Sequence, residues 1–168
     1  MTIKVKNKGT LEFKDFTFKC SFGLNGLTKN KKEGDKKTPI GTFSLGKLFY
    51  RADKYKKPIT NLKCVKINKK MGWCDDVKNK KIYNRLIKVN SKVKHEKLYR
   101  ADYKYDYLIP INYNSKRQLG KGSAIFLHLT NNYKPTAGCI ALKKNDFMVM
   151  LNLINNKTKI KINKTFIF

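Results

Sequence analysis

No run of ~18 uninterrupted apolar residues occurs in the 168-residue sequence, so no helix is expected to span a membrane. Residues 1–20 lack an apolar stretch of the kind that precedes a signal cleavage site: Met1-Thr-Ile-Lys-Val-Lys-Asn-Lys alternates instead, and no export signal is visible. No Pro- or Ser-rich tract and no internal repeat interrupts the chain, and its length suits one domain, so we read 1–168 as a single unit. Cysteine is confined to Cys20, Cys64, Cys74 and Cys139. With no CxxC and no Cys/His pair at zinc spacing, a metal site is not expected, and the irregular spacing suggests no disulfide framework.

Acid is scarce as well. Asp and Glu number 11 against 39 Lys and Arg, a formal net charge of +28. Such a balance attracts anionic polymers in a salt-dependent way. Yet only Arg51, Arg85, Arg100 and Arg117 are arginines, and bidentate recognition of phosphate or guanine favours Arg. The lysines also run evenly from Lys4 to Lys164 instead of clustering. Two readings stay open: solvated positions filled with Lys by an AT-rich genome, or a selected polyanion-binding surface. Specific nucleic-acid binding is not expected.

What is present in quantity is apolar alternation. With 40% hydrophobic and 12% aromatic residues there is material for a core. Phe16, Phe18, Cys20 and Phe22 share one face of a period-2 run, and similar runs occupy 41–49, 62–67, 86–89, 105–113 and 159–168. Turn formers such as Asn25-Gly26 and Glu33-Gly34-Asp35 lie between them. The chain is therefore expected to be mainly β. One segment differs: Phe147, Met150, Leu151 and Ile154 recur at helical spacing, giving an amphipathic helix at about 145–155 with Asn145 as its N-cap.

The search for a general base is short, because the only histidines are His95 and His128. His95 lies in a charged stretch and reads as a solvated surface residue. His128 lies in an apolar run, Gly122-Ser-Ala-Ile-Phe-Leu-His-Leu-Thr, that reads as a buried strand with Ala124, Phe126 and His128 on one face. The turn-rich stretch 130–138 then leads to Cys139 in Gly138-Cys-Ile-Ala-Leu. A loop of this length can bring the two strands side by side and let His128 face Cys139. An adjacent imidazole can take the proton of a thiol that is otherwise mostly un-ionised at neutral pH. Gly138 allows close backbone approach or positive φ, and N–H groups at this turn could face a developing oxyanion. Cys20 and Cys64 read as small core residues, whereas Cys74 sits in what looks like an exposed polar turn, Gly72-Trp-Cys-Asp-Asp.

These residues carry a family resemblance. Gly122-Ser-Ala-Ile-Phe-Leu-His128 followed by Pro135-Thr-Ala-Gly-Cys139-Ile-Ala-Leu resembles the signature of YkuD-type L,D-transpeptidases, a histidine and then a Ser/Thr-x-Gly-Cys turn. Lys32-Glu-Gly-Asp-Lys-Lys-Thr-Pro-Ile-Gly-Thr-Phe43 is similar to that family's Gly-Asp-x-x-Thr-Pro-x-Gly-x-Phe segment. Met71-Gly-Trp-Cys-Asp-Asp76 and Ile82-Tyr-Asn84 resemble a branch common in alphaproteobacteria.

The resemblance implies a YkuD-like β-sandwich of mixed sheets with the helix after the cysteine strand. It implies Cys139 as nucleophile, His128 as base and backbone groups at Ala137 and Gly138 for the oxyanion. The donor would be a peptidoglycan stem tetrapeptide, with no cofactor. Trp73, Asp75, Tyr83, Asn84 and Thr136 are candidates for binding it. Transfer to an amine, giving 3→3 cross-links or exchange of the terminal D-amino acid, and hydrolysis, as in an L,D-carboxypeptidase, stay open; a non-enzymatic polyanion-binding protein is the alternative. Many relatives have a second histidine where this chain has Ala137, and an arginine soon after the cysteine where it has Ile140-Ala141-Leu142. The partner of a donor carboxylate is then sought at Lys143, Lys144 or Arg85. The group orienting His128 is sought at a backbone carbonyl or at Asp75, Asp76 or Asp106. We expect a monomer in the periplasm or cell envelope, with a cytoplasmic location as the alternative.

Overall fold

A computed structural model describes residues 1–89 and 91–164, and within them fifteen strands and one helix. Thr2–Lys6 (β1), Thr10–Phe13 (β2) and Phe16–Ser21 (β3) form an antiparallel meander. Leu27–Thr28 (β4) and Thr38–Pro39 (β5) pair in parallel. Gly41–Ser44 (β6), Leu48–Tyr50 (β7) and Cys64–Lys66 (β8) follow. Met71–Cys74 (β9), Leu86–Lys88 (β10) and His95–Lys97 (β11) build a separate three-stranded sheet with β9 in its centre. Tyr107–Pro110 (β12), Phe126–Leu129 (β13), Ile140–Leu142 (β14), helix Lys144–Leu153 (α1) and Lys159–Asn163 (β15) complete the order.

The large sheet holds ten strands in the order β6-β15-β1-β2-β3-β14-β13-β12-β7-β8. It is mixed: β1 with β15, β13 with β14 and β7 with β8 are parallel, and its other pairs are antiparallel. Strands β12, β13 and β14 are buried at every position because both faces are covered. Tyr107 and Ile109 of β12, Leu127 and Leu129 of β13, and Ile140 and Leu142 of β14 enter the main core together with Phe147, Met150 and Leu151 of α1. Leu108 and Phe126 point the other way, into a second core with Cys139 that Met71 and Trp73 of β9 help to cover. The protein is thus mainly β, a sandwich built on one large mixed sheet with two smaller sheets and, among the described residues, one helix.

Local differences from the sequence reading have physical reasons. The run 41–49 is split into β6 and β7, since β6 pairs with β15 while β7 pairs with β12 and the chain changes partner around Gly46, packed on Pro110. The helix starts at Lys144 behind Lys143, whose extended backbone follows directly from β14, so Asn145 lies inside it and no side chain caps it. Asp146 in the first turn complements the helix dipole instead. The stretch 72–76, read as a polar turn, contains the end of strand β9, and Cys74 is fully buried there with its thiol pKa raised by burial. The end of the expected last strand, 165–168, lies outside the described residues.

Candidate active site

Parallel pairing of β13 with β14 sets His128 opposite Ala141 and Leu127 opposite Ile140, which brings the residue before β14, Cys139, to the same side of the sheet as His128. Both line one cleft of 240 Å³ with Thr136, Ala137, Tyr105 and Arg100.

The turn that leads into Cys139 is braced from upstream. Thr38 donates its hydroxyl to the Gly138 carbonyl at 2.7 Å and accepts the Gly23 N–H at 2.9 Å. Gly138 has φ +140°, and a Cβ there would stand 2.8 Å from the Lys37 carbonyl oxygen, so the position requires glycine on both conformational and steric grounds. Asp35 organises the brace: its carboxylate accepts the N–H groups of Lys32 and Lys37 and pairs with the buried Lys31 ammonium. Burial opposes its ionisation, yet Lys31 and the two N–H groups hold the carboxyl below its ordinary pKa. Thr136 closes the turn by donating to the Cys139 carbonyl at 2.6 Å and accepting the Gly138 N–H at 3.1 Å.

Cys139 and His128 are buried, with 7% and 5% of their surfaces exposed. The thiol donates to the Ala124 carbonyl and accepts the Phe126 N–H, each at 3.3 Å. Burial pushes its pKa up to about 12, with the Phe126 N–H opposing. His128 Nδ1 lies 2.8 Å from the Leu129 carbonyl. A carbonyl only accepts, so Nδ1 carries the proton and Nε2 is left as the basic nitrogen. Burial pushes the imidazole pKa down to about 4, the Leu129 carbonyl opposes, and Lys104 and Arg100 add to the lowering. The resting pair is therefore a thiol and a neutral imidazole, unlike a thiolate–imidazolium pair. The group that orients His128 is a backbone carbonyl. Asp106 is engaged with Lys54 and Tyr55, and Asp75 pairs with Lys94.

The match to known families agrees with this geometry. The profile of YkuD, the L,D-transpeptidase catalytic domain, matches residues 2–162. The chain belongs to the YkuD L,D-transpeptidase family. The same fold occurs in the crystal structure of the helical cell shape determining protein Pgp2 from Campylobacter jejuni, at TM-score 0.54 and 18% identity over 99% of this chain and 48% of that one. A lysine-to-alanine mutant of Pgp2 gives TM-score 0.53 with 18% identity and the same coverage of 99% and 48%. This chain thus spans about half the length of those structures. No match was found among functionally curated proteins.

Other residues singled out in the sequence fall behind or away from the YkuD cleft. Tyr83 is fully buried, and its hydroxyl joins that of Ser123 on the Glu33 carboxylate, so it offers no surface to a ligand. Its phenol pKa is raised first by burial and then by Glu33. Asn84, at φ +52°, is a hub: its side-chain oxygen accepts the Trp73 indole N–H and the Ala124 N–H, and its amide donates to the carbonyls of Tyr113 and Asn114. Trp73 packs edge-on against Phe126 at 5.3 Å. These residues hold the strand that carries His128 from behind. Asp75 borders a separate surface hollow with Asp76 and Lys94.

Lys143 faces the Tyr133 ring and Lys144 the Tyr55 ring, while Arg85 borders another hollow. The cations at the cleft are Arg100, Lys104 and Lys134, with Glu96 as its acid. Lysine is so frequent in the sequence that Lys104 and Lys134 have no contrast there, and Arg100 and Glu96 lie outside every motif. Among the described residues no group of three or more His, Cys, Asp or Glu stands together to hold a metal ion, and no helix is long and apolar enough to cross a membrane.

Proposed function

We propose that residues 1–168 act as a catalytic domain on peptidoglycan stem peptides in the cell envelope, as an L,D-transpeptidase working through a cysteine thioester. The observation that carries this reading is that Cys139 and His128, the latter held at Nδ1 by the Leu129 carbonyl, line one cleft.

In the first half-reaction Cys139 Sγ leaves its hydrogen bond to Ala124 and attacks the carbonyl carbon of the third stem residue, while its proton passes to His128 Nε2. A depressed imidazole pKa makes this a concerted general-base step, with no preformed thiolate. The oxyanion forms beside the turn at 136–138. Its donors are the N–H groups of Ala137 and Gly138, the latter after release from Thr136 Oγ1. Collapse breaks the peptide bond, and the departing D-alanine amine takes the proton from His128. In the second half-reaction an acceptor amine attacks the thioester, its proton goes to His128, and the sulfur leaves to be reprotonated from the imidazole. Water in place of the amine gives an L,D-carboxypeptidase from the same site.

Purified sacculi incubated with the protein and analysed for muropeptides test this. The reading predicts loss of tetrapeptides with gain of 3→3 dimers or of exchanged D-amino acids; accumulation of bare tripeptides would assign hydrolysis instead. Unchanged tetrapeptides would overturn both. A polyanion-binding role predicts salt-sensitive retention on anionic polymers with muropeptides unaltered.

A further inference from the structure

His128 is fixed at one atom by the Leu129 carbonyl, and an imidazole held at one atom can still pivot about that bond. The structure supplies a second restraint. The Tyr105 ring meets the imidazole edge-to-face, with centroids 5.1 Å apart and planes at 70°. Tyr105 is itself wedged at 5.9 Å against Phe126, which leans on Trp73. The backbone just before it is tied to the histidine strand, since the Leu129 N–H is donated to the Lys104 carbonyl at 3.0 Å.

Behind Tyr105 stands Arg100, with its guanidinium carbon 5.0 Å from the ring centre. Arg100 is unusually well immobilised for a residue at a cleft: Nε and a terminal nitrogen fork onto Asp102 at 3.0 and 2.8 Å, and the other terminal nitrogen reaches Glu96 at 3.0 Å. Its backbone carbonyl accepts from Arg51, which is in turn forked onto Asp53 and stacked on Tyr99. Such a planar, multiply bonded guanidinium acts as a rigid plate over an aromatic ring, which a lysine cannot do.

We infer that Tyr105 is a positioning residue for the reaction proposed above: its ring, backed by the Arg100 guanidinium, holds the His128 imidazole in place and keeps water off it. The role belongs to the ring. The hydroxyl lies in a buried setting within the field of Cys139 and Glu96, and burial first, then those two groups, keeps it protonated. The charged and titratable groups around His128 are Glu96 of β11, Arg100, Asp102, Lys104 and Tyr105 from the segment after it, Lys134 from the loop after β13, and Cys139 ahead of β14.

The test is an NMR titration of the His128 ring protons in wild type, Tyr105→Phe, Tyr105→Leu and Arg100→Lys, which needs no assumption about the reaction. Tyr105→Leu admits water and raises the His128 midpoint by about one unit or more, while Tyr105→Phe leaves it within a few tenths. Arg100→Lys keeps the charge but loses the plate, and raises the midpoint by a smaller amount. On disaccharide-tetrapeptide, Tyr105→Leu lowers kcat about 10- to 100-fold with KM within about threefold, and Tyr105→Phe retains kcat within about threefold.

An unmoved midpoint in Tyr105→Leu, or one moved equally by Tyr105→Phe, overturns the inference. If Tyr105→Leu does not fold, an unmoved midpoint in Arg100→Lys overturns it. Should the wild type prove inactive on the tetrapeptide, the function fails while the titration still decides the positioning.

Discussion

The Thr38 hydroxyl donates to the carbonyl of Gly138, 100 residues away in sequence, at 2.7 Å. This contact explains why an upstream turn belongs to the same site as the cysteine. The segment at 36–38 is clamped between two glycines: a Cβ at Gly23 would lie 2.5 Å from the Lys36 carbonyl oxygen, and one at Gly138 would lie 2.8 Å from that of Lys37.

Substitutions in this clamp are expected to loosen the turn that leads into Cys139. Thr38→Val leaves the Gly138 carbonyl and the Gly23 N–H unpaired in a buried place and costs about 2–4 kcal/mol. Gly138→Ala combines a clash with a disfavoured φ and costs at least ~2 kcal/mol. Both lower kcat by ~10-fold or more in the fraction that remains folded. Denaturant melts paired with single-turnover kinetics check this; wild-type stability in Thr38→Val would show that the contact carries nothing.

The pH profile should be displaced toward acid. With His128 held down at about 4, kcat/KM rises as pH rises through that value and is already near its plateau at pH 5–6, where an unperturbed imidazole of pKa ~6.5 would be largely protonated. A limb centred near 6.5 would mean that burial does not depress His128 in the working enzyme.

Stability has a matching dependence. His128 is depressed in the folded state, so the unfolded chain binds the proton first. The contribution is complete above the unfolded pKa of ~6.5 and is lost as pH falls toward 4, on the order of 3 kcal/mol. Carboxylates such as Asp102, held down at about 2 by Arg100, release their share at lower pH. Subtracting the profile of His128→Gln isolates the histidine, and identical slopes for the two proteins between pH 6.5 and 4 would contradict its buried neutral state.

If the proposed function holds, a carbapenem is expected to acylate a cysteine of this chain. The adduct is expected at Cys139, because that thiol lines the cleft together with His128; Cys20 and Cys74 are buried elsewhere, and the partly exposed Cys64 does not line the cleft. Peptide mapping locates it. A carbapenem on Cys74 or Cys64 would argue against the assignment.

Legibility in the sequence followed physical locality. The His128 strand, the glycine ahead of Cys139 and the amphipathic helix are encoded in spacing that any packed sheet or helix must respect. Strand β9 was obscured because Gly72 and the Asp75-Asp76 pair look like a turn; Gly72 is there because a Cβ would strike the His95 ring at 2.7 Å. Tyr83 and Asn84 carry ligand-binding chemistry in composition, and only the fold reveals that their polar atoms are spent on Glu33 and on the backbone around Ala124. The cleft cations Arg100, Lys104 and Lys134 come from two separate connections. In a chain of charge +28 no pattern distinguishes the two lysines from the solvated majority, and Arg100, one of four arginines, lies in no motif.

The most direct measurement follows disaccharide-tetrapeptide by mass spectrometry with wild type, Cys139→Ala and His128→Ala, each shown to be folded. The account predicts that wild type forms a covalent adduct on Cys139 with release of D-alanine, and that both variants lose turnover by ~10³-fold or more. Equal consumption by wild type and Cys139→Ala, or none by a folded wild type, would contradict it.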